Sequence, residues 1–244
     1  MLGGGEGGTP YDLNFVIFNI PVRVHPFFWL AIAILGAGSR DLFGVVSWIV
    51  AAFVGVLLHE LGHALTMQSF GFYPSITLYG LGGYTDYGIL RNPYAGRPSP
   101  GAKIMILAAG PGSGFVAAAA LTALLMILRF DPIVYVGLPI GVMVVLTKIV
   151  ISPWITMFLN DLLFVLIAWG ILNLIPVLPL DGGQIARELL GWRNPALGAY
   201  RAAALSFVIG GAVAASCIFS GNWFLAILFG YLAYTNYTGL TVRW

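Results

Sequence analysis

The chain reads as long apolar runs separated by short polar breaks. Seven runs are apolar enough to count as bilayer elements: residues 26–38, 42–67, 102–128, 133–151, 155–175, 202–219 and 223–238. A helix needs about 20 apolar residues to cross the hydrocarbon core, and most of these runs reach or approach that length. The run 26–38 is short. The run 133–151 is broken early by Gly137, Pro139 and Gly141 and carries Lys148 near its end, so it fits a re-entrant or interfacial segment better than a crossing. Two other stretches alternate. Residues 14–24 (NFVIFNIPVRV) mix β-branched and aromatic residues around Pro21 and predict a short interfacial hairpin. Residues 72–97 are too rich in Gly and Pro for a helix, and alternation over 75–79 and 84–87, about Leu81-Gly82-Gly83, predicts a β-hairpin. At membrane depth such backbone is tolerated only against protein or a wet cavity. The expected fold class is an all-α polytopic membrane protein of about six transmembrane helices, with a membrane-level β-hairpin and a re-entrant or interfacial segment. It divides into a Gly-rich start and interfacial strand region (1–24), a membrane core that carries the chemistry (25–191) and a C-terminal two-helix membrane hairpin (192–244).

Composition agrees. Of 244 residues, 59% are apolar and 8% charged, against about 25% charged in soluble domains. So few charges could not keep a soluble surface wet. A net charge of +2 without a basic run argues against nucleic-acid binding. The single cysteine, Cys217, excludes an intramolecular disulfide and a cysteine metal cage. The start lacks a basic n-region and a cleavage pattern, so no removable signal peptide is expected. If run 42–67 ends in the cytoplasm and 133–151 does not cross, the cytoplasmic set is Arg23, Arg91, Arg97, Lys103, Arg187, Arg193, Arg201 and Arg243. Arg40, Arg129 and Lys148 fall on the far side, and eight against three satisfies the positive-inside rule. A prokaryotic inner membrane fits the compact chain.

His59-Glu60-Leu61-Gly62-His63 is an HExxH motif near the end of an apolar run. On a helix, positions i and i+4 share a face, so His59 and His63 can grip one metal ion, and Glu60 can take a proton from a bound water. With three histidines in the chain, chance placement of this triplet is roughly one in two thousand. Two imidazoles are too few for catalytic zinc, which usually has three protein ligands. His25 reads as an interfacial residue beside Pro26. Among the carboxylates Asp86, Asp161, Asp181 and Glu188, depth favours Asp181. Runs 42–67 and 155–175 are parallel, so their ends reach one level, and Asp181 follows the latter end in NLIPVLPLDGG. Asp161 lies at the opposite leaflet, and Asp86 is a rival on the hairpin. On spacing alone, metal ligation by Asp181 and simple N-capping of a helix over 185–190 both stay open. Ala109-Gly110-Pro111-Gly112-Ser113-Gly114 places a close helix contact near the level of His59.

With these blocks in view, the chain resembles the site-2 protease family of zinc intramembrane metalloproteases. HELGH resembles its first metal-binding motif, and residues 173–191 (NLIPVLPLDGGQIARELLG) resemble its Asn–Pro–Asp–Gly region. The Gly-Pro block resembles its middle helix, with Gly114 where many members carry Asn, and NIPVRVHPFFWL resembles the lead into its first helix. The resemblance implies that His59, His63 and Asp181 hold Zn2+ and that Glu60 is the catalytic base. It implies that Asn173 binds substrate backbone or steadies the oxyanion. It also implies that residues 75–87 form a membrane-level hairpin whose edge, with Gly82 and Gly83, pairs with substrate.

The function expected is hydrolysis of a peptide bond within or next to a transmembrane helix of a membrane-protein substrate, with the active site towards the cytoplasm. Glu60, Asp181, Thr66 and Gln68 are expected to line the water path. The expected surroundings are the lipid bilayer and, for regulation, another membrane protein. Three other readings remain: an inactive metal-binding relative that sequesters membrane partners, a metal-ion transporter, and a zinc hydrolase acting on lipid or a prenylated peptide.

Overall fold

The structure is a computed structural model that describes residues 8–38, 41–90, 98–130, 132–137 and 141–241. Arg40, Arg91, Arg97 and Arg243, used above for orientation, and the first seven residues lie outside the described residues.

Among the described residues there are seven helices, six of them built from the apolar runs and their polar starts. Helix α1 (Pro26–Gly36) opens after His25, whose Nδ1 accepts the Phe27 N–H at 3.0 Å. Helix α2 (Leu42–Ser69) is capped by Asp41, which accepts the Gly44 N–H at 2.8 Å. Helices α3 (Pro100–Ile127), α4 (Pro153–Leu174) and α6 (Pro195–Phe219) share one device. A polar residue (Ser99, Ser152 or Asn194) caps the helix through its side chain, and proline takes the first helical position. These caps explain why α3, α4 and α6 begin before their apolar runs, α6 by seven residues. Helix α5 (Asp181–Leu190) is short and amphipathic, and α7 (Trp223–Thr241) closes the described chain.

Among the described residues four helices, α2, α3, α4 and α6, are long and apolar enough to cross a membrane. Helix α1 has 11 residues, a rise of about 16 Å, well under the ~30 Å core. Helix α7 has the length, but its second half is interrupted by Tyr234, Thr235, Asn236 and Tyr237.

The fold is mostly helical, as expected, and its strands go beyond the one membrane-level hairpin of that expectation. Strands β1 (Leu13–Ile17) and β2 (Ile20–Val24) form the first hairpin, and β3 (Phe72–Tyr79) and β4 (Gly82–Leu90) the second. The two hairpins join through a parallel β2–β3 ladder, Val22 opposite Ile76 and Val24 opposite Leu78, into one sheet ordered β1-β2-β3-β4. Ile20, Val22, Val24, Ile76 and Leu78 are buried in one cluster with Phe28 of α1 and Ala52 and Val56 of α2. The sheet therefore stands against the bundle, and β4 is left as a free edge among the described residues.

The run 133–151 is no helix. It forms a two-stranded hairpin, β5 (Pro132–Gly137) with β6 (Gly141–Leu146). Its β-branched residues favour pleated backbone, and the Gly and Pro between them break any helix. Leu146 is buried beside Leu163 and Leu166 of α4, while Ile133, Tyr135, Met143 and Val145 face outward.

Helices α2 and α3 touch at glycines. A Cβ at Gly62 would strike the Ala109 carbonyl oxygen. Ser113 Oγ, one turn on, reaches the Leu58 and Gly110 carbonyls at 2.8 and 2.7 Å. The expected close contact of the Gly-Pro block is thus present, and it fixes α3 against the HExxH turn.

Candidate metal centre and its cavity

Helix geometry places His59 and His63 on one face of α2, with Glu60 beside the first. All three are buried, at 4–7% exposure. His59 lies ten residues from the end of α2, about 15 Å along a helix roughly 42 Å long, so the motif sits well inside the length of the helix rather than at its tip.

Asp181 reaches them from α4 and α5. Helix α4 stops at Leu174, and the segment 175–180, carrying Pro176 and Pro179, turns back before α5 begins at Asp181. Asp181 is the first residue of α5, and the capping position is Leu180, so the simple-cap reading does not hold. Gly182 and Gly183 make the turn tight: a Cβ at Gly182 would meet the Leu174 and Ile175 carbonyls, and one at Gly183 the Val177 and Leu178 backbone. Their requirement is close approach of backbone to backbone.

The three donors converge. Asp181 Oδ2 is 3.1 Å from His59 Nε2 and 3.3 Å from His63 Nε2, and the two imidazole nitrogens are 3.2 Å apart. Donors around a tetrahedral zinc with ~2.0–2.1 Å bonds stand roughly 3.3 Å from one another. Asp181 Oδ2 is a buried oxygen with no hydrogen bond among the described residues, as suits a lone pair directed at a cation. His63 Nδ1 lies 2.8 Å from the Ile106 carbonyl, which holds the proton on Nδ1 and leaves Nε2 free to ligate. His59, His63 and Asp181 form a buried group able to hold a metal ion, and the donor set fits zinc.

Glu60 is held from the sheet. Thr85 Oγ1 on β4 donates to Glu60 Oε2 at 2.8 Å. A Cβ on Gly83 would lie 2.8 Å from Glu60 Cγ, and one on Gly82 would lie 3.1 Å from the Trp169 ring. The two glycines let the β3–β4 turn close on α2 and α4. Thr85 was not singled out by the sequence, because its role follows from the seating of the sheet. Gly110 is also newly placed: a Cβ there would run into the His63 ring.

Asn173, in the last turn of α4, is 8% exposed and donates one amide N–H to the Trp169 carbonyl at 2.9 Å. It shares with His59, Glu60, His63, Asp181 and the β4 edge the wall of a cavity of about 960 Å3. The wall includes Gln184 and Tyr87 but neither Thr66 nor Gln68. Thr66 Oγ1 is turned back onto the Gly62 carbonyl, and the Gln68 amide reaches the Phe18 carbonyl, so the expected water path is corrected at both residues.

The rival carboxylates are elsewhere. Asp161 accepts from Ser47 Oγ at 2.7 Å, and Ser47 is twelve residues, about 18 Å, from His59 along α2. Asp86 is exposed on β4. Glu188 pairs with Lys103 Nζ at 3.2 Å. His25 caps α1 and stacks on Tyr79 at 4.8 Å.

The model of peptidase family M50 matches residues 47–217. The chain belongs to that family. The match takes in the HExxH helix, the Gly-Pro block and the Asp181 region, and the four long apolar helices suit an integral membrane protein. A zinc metalloprotease of Methanocaldococcus jannaschii is 29% identical over 180 residues, 72% of this chain and 44% of the relative. The chain thus spans less than half the length of that relative. The solved site-2 protease from Methanocaldococcus jannaschii shares the fold, with a TM-score of 0.54 and 23% identity over 96% of this chain and 97% of that one.

Proposed function

We propose that this family member is an intramembrane zinc endopeptidase that hydrolyses a peptide bond within or next to a transmembrane helix of another membrane protein. The observation that carries the reading is the convergence of His59, His63 and Asp181 at 3.1–3.3 Å, with Glu60 beside them on the wall of an intramembrane cavity.

Zinc at this position would supply positive charge that acidifies a water molecule and polarises the scissile carbonyl. Glu60 takes the proton from the attacking water as its oxygen bonds to the carbonyl carbon, and passes it to the departing amide nitrogen as the C–N bond breaks. Thr85 holds the carboxylate in place for both transfers. Asn173 offers its remaining amide hydrogen to the carbonyl oxygen as charge develops there.

A helical substrate hides its amides in i→i−4 bonds and must unwind before attack. The free edge of β4, with Gly82 and Gly83 at its start, offers backbone partners to the extended segment by strand addition. The distribution of Lys and Arg favours an active site towards the cytoplasm.

The test is cleavage of a transmembrane substrate co-reconstituted in lipid vesicles. Glu60→Gln keeps its zinc and loses cleavage, whereas His59→Ala loses both. Normal cleavage by either variant would overturn the assignment.

A further inference from the structure

The segment 175–180 has no regular secondary structure of its own, yet its backbone is held on both sides from outside. Ser206 of α6 is fully buried, accepts the Leu178 N–H at 2.8 Å and donates to the Ala202 carbonyl at 2.7 Å. Asn236 of α7, 9% exposed, donates one amide hydrogen to the Leu178 carbonyl and the other to the Leu232 carbonyl, both at 2.8 Å. Two polar side chains from two helices thus meet both backbone groups of one residue. Around them Val177, itself fully buried, joins Ala214, Phe229 and Leu232 in an apolar cluster.

Leu178 is three residues before Asp181. Pro176 and Pro179 flank it and deny this stretch a continuous helix, so its N–H and C=O need partners from elsewhere. Simple satisfaction of buried polar groups would need only a partner anywhere. Here every hydrogen of Ser206 and of the Asn236 amide is engaged, and both residues bond Leu178, from which the short path Pro179–Leu180 leads to the candidate ligand. We infer that Ser206 and Asn236 are positioning residues for the metal centre, fixing Leu178 so that Asp181 Oδ2 stays at ligand distance from His59 and His63. Helices α6 and α7 then act as the frame of the third ligand, while α2 carries the first two.

The inference rests on the zinc assignment above, and its test keeps the two apart. Zinc affinity of the detergent-purified full chain is measured by competition with a chromophoric chelator, and thermal unfolding of each metal-free variant is recorded beside it. Ser206→Ala and Asn236→Leu are expected to bind zinc ~10–100-fold more weakly than the unmodified chain, the range typical of lost outer-sphere support. Phe207→Ala is the control. Phe207 follows Ser206 and packs its ring on Tyr237 at 5.3 Å, so its loss loosens α6 from α7 without removing a bond to Leu178, and zinc affinity is expected to stay unchanged. Ser206→Ala removes a single oxygen and carries the test if Asn236→Leu does not fold. Unchanged affinity in Ser206→Ala, or an equal loss in Phe207→Ala, overturns the positioning role. Unchanged affinity in Asp181→Ala overturns the zinc assignment instead.

Discussion

Thr85 and Gly110 each touch one member of the HExxH motif, and each makes a separable prediction. The Thr85 hydroxyl is 2.8 Å from Glu60 Oε2, and a hydrogen bond to a charged group contributes about 1.5–3 kcal/mol. Thr85→Val is therefore expected to slow cleavage by roughly 10–100-fold and to leave zinc content unchanged, as measured by turnover and metal analysis on one preparation. Gly110→Ala acts on the other side. Its new methyl group meets the His63 ring, so zinc affinity should fall by at least about tenfold. Zinc binding by Gly110→Ala equal to that of the unmodified chain would show that the ring has room to move. His59, Glu60 and His63 were legible in the sequence because helical periodicity alone puts i and i+4 together. On spacing alone Asp181 was one of two readings, since its distance from the imidazoles depends on how segment 175–180 folds back, and the family resemblance was what pointed to it as the third ligand. Thr85 was silent because nothing local marks it. Its neighbour is 25 positions away, reached only when β4 closes on α2.

Glycines on α2 and α3 differ in their surroundings, and the difference is testable. A Cβ at Gly62 meets the Ala109 carbonyl, whereas Gly112 has nothing within 4 Å. Gly62→Ala is expected to lower the melting temperature, because α3 must move away from the turn that carries both histidines. Gly112→Ala should be neutral or stabilising by up to about 1 kcal/mol, the usual helical preference for Ala over Gly. Thermal unfolding of the two purified variants decides it, and equal effects would mean that the contact at Gly62 is slack. The small-residue block was visible as a packing signal, but which glycine carries the contact was not, since that depends on the rotation of α3. The same limit applies to the strands. Both hairpins of the larger sheet were expected from alternation and turn residues. Their parallel joining through Val22–Ile76 and Val24–Leu78 was not, because the partners are more than fifty residues apart and two helices, α1 and α2, lie between them. The run 133–151 was expected to fall short of a crossing, since Gly137, Pro139 and Gly141 interrupt it. Its pairing into a hairpin needed the buried seat for Leu146 beside α4.

The cavity extends far beyond the metal centre, and its shape says what kind of substrate it suits. Along α2 its wall runs from Trp48 to Met67, nineteen residues and about 28 Å, close to the ~30 Å hydrocarbon thickness. The opposite wall includes Phe164, Ala168 and Leu172 of α4, with Phe224, Leu225 and Leu228 of α7, so most of the length is apolar and the polar groups gather near the HExxH turn. Such a trough accommodates an apolar segment along its length and reserves its chemistry for one level. At that level β4 presents a free edge, which accepts extended backbone and not a helix. On the proposed function, a helical substrate gives up hydrogen bonds opposite Glu60, and its own sequence sets how much that costs. In a helix, Gly is about 1 kcal/mol and Pro about 3 kcal/mol less favourable than Ala. If unwinding precedes the chemical step, replacing one Gly near the cleaved bond by Ala should slow cleavage by about fivefold, and replacing a Pro should slow it by about a hundredfold. The same replacements two turns away should have little effect, because that part of the substrate stays helical in the apolar trough. Initial rates on a matched series of co-reconstituted substrates measure this directly. Rates indifferent to helix-breakers at the cleavage level would mean that the segment arrives already extended, and that the edge of β4 captures a strand instead of drawing one out of a helix.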